Sequence, residues 1–101
     1  MWLFVMFELP VKDQKARKRY AQFRKSLIHE GFSRVQLSVY ARYYGCEDSS
    51  DTQRRAIAQR VPDNGRVRLV AITDHQFGKM ESYYGKNREA NEEQPKQLML
   101  F

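Results

Sequence analysis

The chain of 101 residues contains one cysteine, Cys46, so it has no partner for an internal disulfide. With no basic leader and no small-residue cleavage site at its start, the expected compartment is a reducing cytoplasm. No apolar run approaches the roughly 20 residues that span a bilayer. Three prolines and five glycines are too few for a disordered or fibrous chain, and no segment repeats. Acids are also scarce: 12 Asp and Glu stand against 18 Lys and Arg, a net charge of +6. That excess favours an anionic partner, and nucleic acid is the densest common one. His29 and His75 make no metal-ligand spacing with Cys46, and Ser38 has no evident His/Asp pair for nucleophilic work.

What is present begins with "MWLFVMFELP", in which only Glu8 and Pro10 are not apolar. Residues 1–8 read as a strand with Leu3, Val5 and Phe7 on one side and Trp2, Phe4 and Met6 on the other. Apolar residues on both faces require cover on both faces. Pro10 closes the strand. Residues 13–30 read as a helix with Asp13 as N-cap, a stripe of Ala16, Tyr20, Phe23 and Leu27, and Gly31 as its stop. Residues 32–44 alternate, with Val35, Leu37, Val39 and Ala41 opposed to Arg34, Gln36, Ser38, Tyr40 and Arg42, as one long strand or two short ones. A shorter helix over 51–61 with Ala56, Ile57 and Val61 inward, a turn at Pro62–Gly65 and a strand over 66–73 follow. Residues 85–97 read as loose, and "QLMLF" at the end as apolar again.

The order predicts an α+β, ferredoxin-like βαββαβ domain over 1–85, with two helices on one face of an antiparallel sheet. A tail over 86–101 carries an extra C-terminal strand at 97–101. No spare element is evident to cover Trp2, Phe4 and Met6. The expectation is a homodimer formed by sheet-on-sheet packing through Trp2, Phe4, Met6, Leu98, Leu100 and Phe101.

Lys12, Lys15, Arg17, Lys18 and Arg19 crowd the start of a helix, where the macrodipole disfavours cations. Such placement suits a gripped anion, with Arg34 and Arg42, and then Arg66 and Arg68, extending the basic surface. A solvated charged face is the plainer alternative. No base-reading module is present, so binding would follow shape and charge. Glu8 could meet its own copy across a two-fold axis and hold Mg²⁺, or could simply pair with an arginine such as Arg42. Asp74 could assist a metal or cap a turn.

"MWLFVMFELP", "FRKSLIHEGF", "VQLSVYARYY", "VAITDHQFGK" and "PKQLMLF" together resemble the small Cas-two family of CRISPR systems, nearest to the branch that accompanies type II loci. The resemblance implies a ferredoxin-like homodimer seated between two dimers of the Cas-one integrase, supporting duplex DNA by its backbone during spacer acquisition. It also implies, as the alternative, a Mg²⁺-dependent endonuclease acting on RNA or DNA. The family's metal-binding acid is usually Asp at the end of the first strand, and Glu8 in "Phe7-Glu8-Leu9-Pro10" stands at that place as tentative catalytic and metal residue. The resemblance carries the DNA-gripping role to Lys15, Arg17 and Arg19, and further to Arg34 and Arg42. It allows a final strand that crosses to the partner subunit. "QLMLF" also matches the short peptide that replication sliding clamps bind. A toxin-like ribonuclease of similar fold is a third reading, by analogy of fold only.

Overall fold

The computed structural model describes residues 1–95. The expected tail strand at 97–101, the interface residues Leu98, Leu100 and Phe101, and the clamp-like "QLMLF" lie outside the described residues.

Strand β1 (Trp2–Glu8) leads into helix α1 (Gln14–His29), strands β2 (Ser33–Gln36) and β3 (Val39–Tyr43), helix α2 (Asp51–Gln59) and strand β4 (Arg66–Ile72). A four-stranded antiparallel sheet results, in the order β2-β3-β1-β4. The expected βαββαβ succession is therefore present. β1 lies inside the sheet, paired with β3 on one side and β4 on the other.

Leu3, Val5 and Phe7 are buried with Phe23 and Leu27 of α1, Ile57 of α2 and Tyr40 of β3. Both helices thus cover one face of the sheet. Phe7 anchors an aromatic cluster, with ring centroids 5.1 Å from Phe23 and 5.7 Å from Tyr40. Helix α1 starts where Asp13 accepts a 2.7 Å hydrogen bond from the Ala16 N–H. It stops at Gly31, whose φ of +91° suits glycine. Asp13→Ala is expected to cost about 1 kcal/mol in a urea melt, because no other acid occupies the first turn of α1.

Residues 32–44 divide into two strands because the chain reverses at Ser38, whose φ is +62° and whose carbonyl accepts from the Phe7 N–H. Along β3 the supposed polar side of this segment is not wet, whereas Arg34 and Gln36 of β2 are exposed. Tyr40 is buried in the main core, and Arg42, paired in register with Leu3, points under the helices. Alternation signals two faces but does not say that only one is covered.

The other face of the sheet corrects a second expectation. A spare element does exist: helix α3 (Asp74–Gly78), capped by a reciprocal Thr73–Gln76 box. Its Phe77 ring stacks on Trp2 at 4.2 Å between centroids, 11° from parallel. Trp2 is left 7% exposed within a single chain, so it needs no second copy to cover it. Phe4 and Met6 stay half-buried, and Val70 beside Phe4 is exposed. Asp74 is neither cap nor part of an acidic cluster: it accepts from the Met1 amino group at 2.6 Å and from the Tyr43 hydroxyl at 3.3 Å.

Beyond α3, part of the stretch expected to be loose forms a hairpin, β5 (Ser82–Tyr84) with β6 (Asn87–Glu89), turning through Gly85 at φ +61°. Asn91 fastens its base, donating to the carbonyls of Phe77 and Met80. No helix among the described residues is long and apolar enough to cross a membrane.

Candidate nucleic-acid interface

The turn after α2 positions the basic segment. Asn64 has φ +64°, and the Gly65 N–H bonds to the Pro62 carbonyl at 3.0 Å. A Cβ on Gly65 would come within 2.5 Å of a Leu9 methyl, so glycine lets this turn lie against the end of β1. The turn therefore stands beside the start of α1, and the two form a groove lined by Lys12, Lys15, Arg19, Pro62 and Asn64. Asp13 and Asp63 also line it, but Asp13 is engaged in capping α1.

The cation run is divided by helical spacing. Lys15 and Arg19, four residues apart, share a face and both line the groove. Arg17, two residues from each, cannot share that face, and its guanidinium donates to the Val11 carbonyl at 3.2 Å. Lys12, Lys15, Arg17, Lys18 and Arg19 are all exposed. Among the described residues none of the five forms an ion pair. Arg19 also borders a second groove running along α1 past Gln22 and Ser26 to Arg60. Arg60 also lines it but is ion-paired with Glu30, 2.6 Å away. Its place just after α2 offered no sequence signal, since only the fold brings residue 60 to α1.

Arg34 and Arg42 are not part of this groove. Arg34 is exposed on β2, the opposite sheet edge from β4. Arg42 donates to the Glu30 carbonyl at 2.9 Å and lies 4.6 Å from the Tyr44 ring centre. It satisfies the C-terminal end of α1, where a cation is favoured. Burial pushes the Tyr44 phenol above its ordinary pKa, and the neighbouring Arg42 partly offsets this.

Glu8 ends β1 directly opposite Arg66 of β4, with 4.0 Å between carboxylate and guanidinium. The plain alternative of an arginine partner holds, although the partner is Arg66 rather than Arg42. Both side chains are mostly exposed, so the pair adds well under about 1 kcal/mol to stability. Among the described residues no group of three or more His, Cys, Asp or Glu could hold a metal ion. Mg²⁺ keeps most of its waters and is held by one or two carboxylates, so the feature that opposes it here is the Arg66 guanidinium beside Glu8.

Fold and surface together define a small α+β protein with an antiparallel four-stranded sheet and an open basic groove at its first helix. The family described as CRISPR associated protein Cas2 matches residues 1–80, and the chain belongs to that family. It is 43% identical over 101 residues to the CRISPR-associated endoribonuclease Cas2 of Parvibaculum lavamentivorans, covering all of both chains. It is 37% identical over 101 residues to the protein of the same name from Flavobacterium psychrophilum, covering all of this chain and 88% of that one. The crystal structure of Streptococcus pyogenes Cas2 is similar at a TM-score of 0.62 and 20% identity, covering 83% of this chain and all of that one. That likeness bears on the fold alone.

Proposed function

We propose that this chain is the DNA-supporting subunit of CRISPR spacer acquisition, acting as a homodimer between two dimers of the Cas-one integrase. The observation that carries the reading is the groove at the start of α1, where Lys15 and Arg19 are exposed, share a face and lack an ion-pair partner among the described residues. Lys12 sits in the same groove, and Lys18 is exposed on α1. A row of unneutralised cations is suited to phosphates and carries no base code. Family membership supports the CRISPR setting. The apolar strip of Phe4, Met6 and Val70, left partly open by α3, supports pairing of two sheets.

The relatives are named endoribonucleases, but Glu8 faces the Arg66 guanidinium, so nuclease chemistry is the lesser reading. The test is co-purification of this chain with the integrase and duplex DNA. A ternary complex retained through gel filtration is expected. Integrase that binds the duplex equally well without this chain, and never retains it, would refute the reading.

A further inference from the structure

The end of β1 sets one acid among arginines. The register places Glu8 opposite Arg66 and Met6 opposite Arg68. Side chains alternate along a strand, so these four share the face away from α1 and α2. They line one shallow depression, together with Leu37 of the β2–β3 turn. Two guanidiniums against one carboxylate make it net positive. Among the described residues no further carboxylate, imidazole or thiol gathers with Glu8 into a group of three.

The register is a property of the backbone. Rotating either side chain does not remove Arg66 from its place opposite Glu8. A dication at Glu8 meets the guanidinium 4.0 Å from that carboxylate, and its repulsion is twice that of a single charge. We propose that Arg66 is the counter-charge of Glu8 in this chain, taking the electrostatic place of a divalent ion and excluding Mg²⁺ and Mn²⁺ from the end of β1. Two-fold packing leaves the balance unchanged, because each added Glu8 arrives with its own Arg66. The inference is independent of the groove at α1, none of whose residues enters it.

Mn²⁺ binding, followed through the paramagnetic resonance signal of the free ion, tests this on the full chain. Wild type, Glu8→Gln, Arg66→Gln and the double variant are compared, with melting curves as a control. Arg66 is largely exposed, so its replacement leaves the core intact. Wild type and Glu8→Gln are expected to give the same weak, unsaturated binding. Arg66→Gln is expected to bind Mn²⁺ about tenfold more tightly, by removal of one adjacent positive charge. That gain should vanish in the double variant. A saturable site in wild type that Glu8→Gln removes would overturn the proposal, and so would an Arg66→Gln variant that gains nothing.

Discussion

Replacing Lys15 and Arg19 together by glutamate is expected to weaken duplex DNA binding about 100-fold, because each lost charge-assisted contact to phosphate is worth roughly 1.5 kcal/mol. Net charge alone would also lower affinity, so a matched control is needed. Arg55→Glu with Lys86→Glu changes the net charge equally, but Arg55 is exposed on α2 and Lys86 in the turn between β5 and β6, and neither lines the groove. That control should lose less than about tenfold, the share owed to the general field of the protein. Filter binding or fluorescence anisotropy at fixed salt measures both. Equal losses in the two variants would show that charge, and not the groove, governs binding.

Phe77→Ala should remove about 3–5 kcal/mol of stability, the usual cost of truncating a buried phenylalanine. For a domain whose whole stability is on the order of 5–15 kcal/mol, this is a large share. Phe77 is 4% exposed and stacks on Trp2, so its loss opens the lid over that ring. Trp2 is the sole tryptophan of the chain, which makes its emission a clean reporter. A red shift together with a lower melting temperature is expected. Unchanged emission and melting would mean that a second copy, and not α3, covers Trp2.

The unequal legibility of the fold follows from how far each signal reaches along the chain. Strand β1 and helix α1 were plain because their apolar periods run over many residues and their ends carry Pro10, Asp13 and Gly31. Helix α3 was missed because five residues with one buried ring show no period; only the Thr73–Gln76 spacing marked it. The hairpin at Ser82–Glu89 was missed because its residues are nearly all exposed and hold no apolar alternation. Because α3 leaves no periodic signal, the sequence alone leaves Trp2 without cover inside one chain.

The candidate site divides in the same way. Lys15 and Arg19 could be grouped from helical spacing alone. The withdrawal of Arg42 beneath α1, and the meeting of Glu8 with Arg66, depend on strand pairing between distant segments. Nothing local to either residue encodes that register.

The most direct test of the central claim is the salt dependence of duplex binding. Each phosphate neutralised contributes about 0.9 to the slope of log affinity against log salt. Wild type is therefore expected to be steeper than the Lys15→Glu/Arg19→Glu variant by about 1.8, the share of two phosphates. Identical slopes would place the phosphates elsewhere on the molecule and contradict the assignment of this groove.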